Sequence, residues 1–293
     1  MPRFLVAGFL ILSILLFFSG PSFTIGEGPA VWLFSAQPDR YFPAFFEVHL
    51  RRVVPPDFIQ SIDLYSSSPG ELQKKITSAI SSAQLIILMD FSQEQVESFF
   101  RECRKISFQQ KPSLIAWNCE LDSLPDQFQL IPIQVNWDSA FTDFKKLIPD
   151  PLVSIVFSHH QEPFAFDFLQ SFQTQFPDHT IISKAWPGPT PQSRSIHIVS
   201  TDKIMKELLP YPFTLICLES SAQVLSELQV GHLTAAFDFK PSLLAAQIPR
   251  LLSRSGPTPT LTLTPQLIVL NTLTEADAYQ VLRRCFMCGN QSE

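Results

Sequence analysis

The chain has 293 residues, 45% of them hydrophobic and only 16% charged, which excludes the low-hydrophobicity, high-charge composition of a disordered chain. A net charge of −6, with Lys and Arg scattered rather than gathered into a stripe, excludes a general nucleic-acid-binding role. Nine glycines against 25 prolines leave no GxGxxG or Walker-type phosphate loop, and neither HExxH nor GxSxG occurs.

Arg3 precedes an apolar run from Phe4 to Phe18, broken only by Gly8 and Ser13 and followed by Ser19-Gly20-Pro21-Ser22. A positive start, an apolar centre and a small-residue exit describe a secretory signal over residues 1–23. The run is short for a membrane span, which needs about 20 residues. An uncleaved anchor is the competing reading, because no clean A-x-A site follows. Either way the rest of the chain is expected to be periplasmic or secreted, touching the membrane only through an uncleaved N-terminus.

Ala30–Phe34 reads as a buried strand, followed by a loop to Tyr41 and a helix over Phe42–Val53. Ile62–Tyr65 is the next strand, Ser66–Pro69 a turn and Gly70–Ser82 a helix. Leu85–Met89 is almost wholly apolar, as a parallel strand covered on both faces requires. A helix over Phe91–Ile106 starts at a Ser92 cap. Leu114–Trp117 and Ile131–Val135 are further strands. A second series begins after Pro149-Asp150-Pro151. Its strands are Val153–Phe157, His179–Ser183, Ile196–Val199 and Thr214–Leu218. Its helices are Phe164–Phe176, Asp202–Leu209, Ser221–Leu228 and Leu243–Ser253. Ser255–Pro259 breaks the chain, Leu261–Leu270 is extended, and Glu275–Arg284 forms a terminal helix. Two strand–helix series separated by a Pro-rich link predict an α/β protein of two Rossmann-like lobes with parallel sheets. In such sheets ligands sit beyond the carboxyl ends of the strands, so two facing lobes line one shared cleft.

The cysteines, Cys103, Cys119, Cys217, Cys285 and Cys288, are odd in number and widely spaced, which does not describe a disulfide framework. Cys285 and Cys288 read as incidental thiols of a tail. His159-His160, with Glu162 nearby, reads as an exposed loop rather than a metal site, because adjacent residues rarely face one ion. No metal and no cofactor is expected.

The segment Thr214–Ser220, through Gly231-His232-Leu233-Thr234-Ala235 to Phe239-Lys240-Pro241, resembles the last third of the ribose- and galactose-type periplasmic sugar-binding proteins. There a strand ending in an acidic residue leads to a helix, a G-x-L-x-A strand, then Pro and a helix. The break at Gly256–Pro259 and the strand Gln266–Asn271 also match. The stretch Phe34–Phe46 resembles that family's first strand and aromatic loop, and Ile80–Ile87 its passage into the third strand. The similarity covers most of residues 30–275 and rests on order and spacing more than identity. It implies a type I periplasmic-binding-protein-like fold, hinged in three places: near Val135–Trp137, Phe239–Lys240 and Thr260–Leu263. The N-terminal lobe would comprise 28–136 and 240–260, and the C-terminal lobe 137–239 and 261–275, with a helix and tail over 276–293.

The resemblance further implies a non-enzymatic, exported solute-binding protein that captures a sugar or sugar-like molecule for an ABC transporter permease or a membrane sensor. Sugars are held by aromatic rings against their C–H faces and by planar polar groups at their hydroxyl rim. The candidate ligand-binding residues at the strand ends are Asp39, Tyr41, Phe42, Trp117, Asn118, Thr201, Asp202, Glu219 and Phe239. Each has a plainer reading: core aromatics for Tyr41, Phe42 and Trp117, and helix caps for Asp202 and Glu219. Two departures stand out. The family's Arg on the first C-lobe helix is absent from Phe164–Phe168, and Phe239 replaces its second-hinge amide. These losses keep an alternative open, a decayed binding fold that serves as an envelope protein-interaction module without a small ligand.

Overall fold

The computed structural model describes residues 29–37, 40–64, 80–121, 123–148, 153–160, 162–187, 195–211, 214–253, 259–276 and 279–280. The N-terminal apolar run and the CxxC tail lie outside these residues, as does most of the expected Gly70–Ser82 helix. Among the described residues no helix is long and apolar enough to cross a membrane.

The first sheet contains β1 (Val31–Ser35), β2 (Ile59–Asp63), β3 (Leu85–Met89), β4 (Ser113–Trp117) and β5 (Gln129–Leu130), in the order β2-β1-β3-β4-β5. Every pairing in it is parallel. β1 and β3 are buried along their whole length, consistent with their continuous apolar sequence. The second sheet contains β7 (Ile155–His159), β8 (Ile181–Ala185), β9 (Ile196–Val199), β10 (Thr214–Cys217), β11 (Ala235–Asp238) and β13 (Gln266–Ile268), in the order β13-β11-β10-β9-β7-β8. From β8 to β11 it repeats the winding of the first sheet, so the lobes are built alike. Their switch points, where the winding reverses, fall between β1 and β3 and between β7 and β9. The last strand, β13, runs antiparallel to β11. A separate parallel pair, β6 (Ile133–Val135) with β12 (Leu261–Leu263), ties the segment after β5 to the segment between β11 and β13.

The helices follow from caps and periodicity. Described helix α1 (Tyr41–Val53) buries Tyr41, Phe42, Phe46 and Leu50 at helical spacing and carries Arg51 and Arg52 in its last turn. Helix α2 (Gln93–Cys103) begins with a full capping box, Ser92 with Gln95. Helix α3 (Asp138–Leu147) was not expected from the sequence. Its buried Ala140, Phe141 and Phe144 lie on one face, Asp138 stands at its start and Lys145 and Lys146 at its end. Helices α4 (Pro163–Gln175), α5 (Asp202–Leu208) and α6 (Ala222–Gln229) cover the second sheet. The expected single helix over Leu243–Ser253 is instead two short ones, α7 (Pro241–Ala245) and α8 (Ile248–Leu252). Pro249 has no N–H to donate back across the join, and both pieces pack against α1.

Other boundaries differ by register. β2 starts at Ile59, earlier than the predicted Ile62, because it pairs with β1 from Val31 onward. The predicted strand Ile131–Val135 shortens to β6, and β5 lies just ahead of it, with Pro132 between the two. The predicted Leu261–Leu270 segment is split into β12 and β13, followed by a 3-10 turn at Leu270–Glu275; most of the terminal helix expected over Glu275–Arg284 lies outside the described residues, of which Tyr279 and Gln280 are helical.

One apolar core covers the second lobe and the α1 face of the first sheet, while a smaller core lies between the other face and α2. The larger core is continuous across the seam. Phe239, after β11, meets Trp117 at 5.5 Å, Trp137 at 5.4 Å and Phe164 at 6.0 Å between ring centroids, all edge to face.

Candidate interlobe site

The carboxyl ends of both sheets meet along this seam. From the first lobe come Arg40 ahead of α1, Asp90 after β3 and Asn118 after β4. From the second come Glu162 after β7, Glu219 after β10 and Asp238 at the end of β11. Three non-glycine residues at these strand ends hold positive φ: Asp90 at 57°, Asn118 at 52° and Lys240 at 51°. Short polar side chains tolerate this region best, and such conformations concentrate at functional strand ends.

Arg40 is the centre of the arrangement. Its Nε donates to Glu219 Oε1 at 2.6 Å, and its Nη1 donates to Asp90 Oδ1 at 3.0 Å. Its Nη2 lies 3.7 Å from Glu162 Oε1, and its guanidinium sits 5.1 Å from the centre of the Phe164 ring. One cation thus draws together carboxylates from both lobes, with side chains 2–11% exposed. The outer oxygens are also served. Glu219 Oε2 accepts from the Asp202 backbone N–H, and Glu162 accepts from the Ser200 hydroxyl and the His160 N–H. Asn118 donates its amide to Asp90 and accepts from the Phe164 backbone N–H at 3.3 Å, a second bridge between lobes. The Tyr41 hydroxyl donates to Asp238, a third.

Burial dominates the acid–base balance. It pushes the Asp90 and Glu219 carboxyls above their ordinary range, and Arg40 pulls them back only in part. Burial alone would lower the Arg40 pKa, but Glu219, Asp90 and Glu162 together raise it, so it stays charged. The other oxygen of Asp90, Oδ2, is buried without a hydrogen-bond partner. A carboxyl whose folded pKa is raised favours folding below its unfolded pKa and loses that contribution as pH rises through the folded value. Asp90→Asn keeps an acceptor for Arg40 but cannot ionise. We therefore expect its urea midpoint to fall less than that of the natural chain between about pH 4 and neutral. Parallel slopes would show that Asp90 does not titrate above its ordinary range.

Beside the Arg40 cluster lies a cavity of about 740 Å³, walled by the end of β4, the passage Ile133–Asp138 and one face of α4. Trp117, Asn118, Trp137, Phe164, Asp167 and Gln170 are among its lining residues. The Trp137 indole N–H donates to Asp167 Oδ2 at 2.8 Å.

The sequence-derived candidates divide over these two regions. Trp117 and Asn118 line the cavity. Phe42 stacks on Trp117 at 4.2 Å and, with Phe239, backs the aromatic wall from within the core. Glu219 and Tyr41 are engaged in bonds across the seam rather than lining the cavity. Thr201 caps α5 through the Ile204 N–H, and Asp202 lies within reach of the Ser221 hydroxyl and Lys206. Asp39 lies outside the described residues. Sequence reading missed Arg40, Asp90 and the cavity residues Trp137 and Asp167. His159 is a correction: it is the buried end of β7, its Nε2 2.9 Å from Ser183 Oγ, and only His160 is exposed. No group of three or more His, Cys, Asp or Glu arranged to hold a metal occurs among the described residues.

No family model and no curated protein matches the chain. Solved structures do. An ABC transporter solute-binding protein from Agrobacterium vitis with bound allitol superposes with a TM-score of 0.58 at 13% identity, covering 88% of this chain and 99% of that one. The Caulobacter myo-inositol binding protein gives 0.61 at 12% identity, covering 87% and 99%. A chain of the XylFII–LytSN complex gives 0.58 at 9% identity, covering 84% and 100%. This chain has the fold of a type I periplasmic binding protein. At these identities the likeness concerns the fold. It accounts for the repeated winding of the two sheets and for the convergence of their carboxyl ends on one seam. A guanidinium does stand at this seam, supplied by Arg40 ahead of α1.

Proposed function

We propose that the chain is an exported solute-binding protein that holds a small sugar-like molecule in its interlobe cavity and presents it to an ABC importer or a membrane sensor. It does no chemistry on the ligand. The observation that carries this reading is the cavity itself, whose flat indole and phenyl rings and planar polar groups come from both sides of the seam. Its volume of about 740 Å³ suits a small ligand, for which sites span roughly 300–1,000 Å³. Rings cover C–H faces, while Asn118, Asp167 and Gln170 offer donors and acceptors to hydroxyls. The neighbours support the ligand class, two of them holding allitol and myo-inositol, and a third being part of a two-protein complex. We further propose that the passages at Val135–Trp137, Phe239–Lys240 and Thr260–Leu263 are hinges. Calorimetric titration with allitol, myo-inositol, pentoses and hexoses tests the reading, with one-to-one saturable heat from at least one member as the expected result.

One observation favours a second reading. The strand-end centre is filled by Arg40 and its three carboxylates, so the lobes are joined without any ligand. On that reading the fold serves as an envelope protein-interaction module. Recovery of one stoichiometric envelope partner, with no heat from any small molecule, supports it over the first.

A further inference from the structure

We infer that the Arg40 cluster is a proton-dependent latch: joining the lobes takes up a proton, so the seam tightens as the pH falls and loosens as it rises. The inference concerns the ligand-free chain and goes beyond the ligand reading, on which it does not depend.

The first observation is the count of charges. One guanidinium, Arg40, meets three carboxylates, Asp90 from the first lobe and Glu162 and Glu219 from the second, and all four side chains are 2–11% exposed. One cation balances one of three acids. A buried acid without a counter-charge is costly, and it takes a proton rather than stay ionised. When the lobes part, Glu162 and Glu219 leave Arg40 and all three acids return to water, where they ionise in the ordinary carboxylate range. The joined seam therefore holds protons more tightly than the parted one.

The second observation is what surrounds the cluster. In the first lobe, Asp90 faces the Asn118 amide and the Cys119 thiol, which burial keeps protonated. In the second, Glu219 faces Asp202 and the buried Cys217 thiol, and Asp202 lies 3.7 Å from Lys206. Glu162 follows His159, whose ring burial holds neutral, and accepts from the backbone N–H of His160, whose side chain is exposed. Asp238 is answered by the Tyr41 hydroxyl and by Lys240 at 3.8 Å. Lys206 and Lys240 are thus engaged with their own acids. The helix N-termini beside Glu162 and Thr201 offset part of the remaining excess, but each falls short of a full cation. Burial is the largest influence on both Asp90 and Glu219 and lifts them above the ordinary range against the pull of Arg40. A group raised in the joined state favours joining below its parted-state pKa, and that contribution is lost as the pH rises through the joined-state value. The sense is opposite to that of an exposed ion pair, which acid breaks.

Residue-resolved amide hydrogen exchange on the full chain, without ligand, tests this. The Phe164 N–H donates across the seam to Asn118 Oδ1, so it exchanges when the lobes part. The Val54 N–H, bonded to the Leu50 carbonyl, is the control, about 20 Å from the seam end of the 13-residue α1. After correction for intrinsic exchange, protection at Phe164 is expected to rise as the pH is lowered from about 8 to about 6, by up to about tenfold per unit, the limit for one proton. Protection at Val54 should change less, and Asp90→Asn combined with Glu219→Gln should flatten the Phe164 response. Should the double variant not fold, each substitution is read alone and must lessen that response. A flat or reversed dependence at Phe164 would overturn the inference. So would an equal change at Val54, since whole-chain stability rather than lobe closure would then be titrating. A response undiminished by the substitutions would overturn it too, because the proton would be held elsewhere.

Discussion

Replacing Arg40 with methionine lowers the free energy of unfolding by about 3–5 kcal/mol at neutral pH, the range found when one partner of a buried ion pair is removed. Methionine fills similar space against Phe164 but leaves Asp90, Glu162 and Glu219 facing one another without a counter-charge. The variant answers in two ways. Its buried carboxyls take up protons, since the cation that pulled Asp90 and Glu219 down is gone. The seam also opens, since three of its charged contacts shared one side chain. The deficit therefore shrinks as pH falls, and the radius of gyration rises at neutral pH. Urea unfolding at two pH values and small-angle scattering measure both. A variant with natural midpoint and natural radius would show that the guanidinium contributes nothing to lobe closure.

Phe239→Ala is expected to cost about 3–5 kcal/mol, the range for truncating a buried phenylalanine to alanine. Phe239 is 3% exposed and stands where rings from both lobes meet. Phe42 and Trp117 approach it from the first lobe, Phe164 from the second, and Trp137 from the passage between them. Each aromatic pair adds about 0.5–1.5 kcal/mol beyond area burial, so the loss falls towards the upper end of the range. The space left is apolar and adjoins the ligand cavity through Trp117, Trp137 and Phe164. A small aromatic solute such as indole should enter it and recover part of the lost stability. Chemical denaturation with and without indole reads both effects. A loss under 1 kcal/mol would mean that this ring does not hold the larger core together across the seam.

Much of the fold was legible because its elements are apolar in characteristic ways. β3, and β1 up to its final Ser35, are uninterrupted apolar runs, as covered parallel strands require. Ser92 and Ser221 mark two helix starts, and both accept the expected backbone N–H. Helix α3 escaped notice because its apolar face is only Ala140, Phe141 and Phe144, in a short segment between two proline-rich stretches. The split of the Leu243–Ser253 helix was signalled by Pro249 and passed over.

The site was legible as a place but not as a set of bonds. Topology says that strand ends face the seam, which brought Trp117, Asn118 and Glu219 forward. Nothing local says that Arg40 reaches Glu219 across 179 residues, or Tyr41 reaches Asp238 across 197. A signal for Asp90 did exist: it is an acid directly after five apolar residues, at the carboxyl end of a strand that the topology points towards the seam. Glu219 was read as a sugar-binding acid and Glu162 only as a neighbour of the His159-His160 loop, whereas the charge both meet is an arginine.

On the proposed function a ligand goes into the cavity that Trp117 and Trp137 help to line. Ser171, on the α4 side of its lining, offers the most direct test. Ser171→Trp fills the space from one wall without touching the Arg40 cluster. Titrated in parallel with the natural chain against allitol, myo-inositol, pentoses and hexoses, it should lose all the heat that the natural chain gives with its best ligand, while both melt at similar temperatures. Undiminished binding by Ser171→Trp would contradict the account, because the ligand would then be held somewhere other than this cavity.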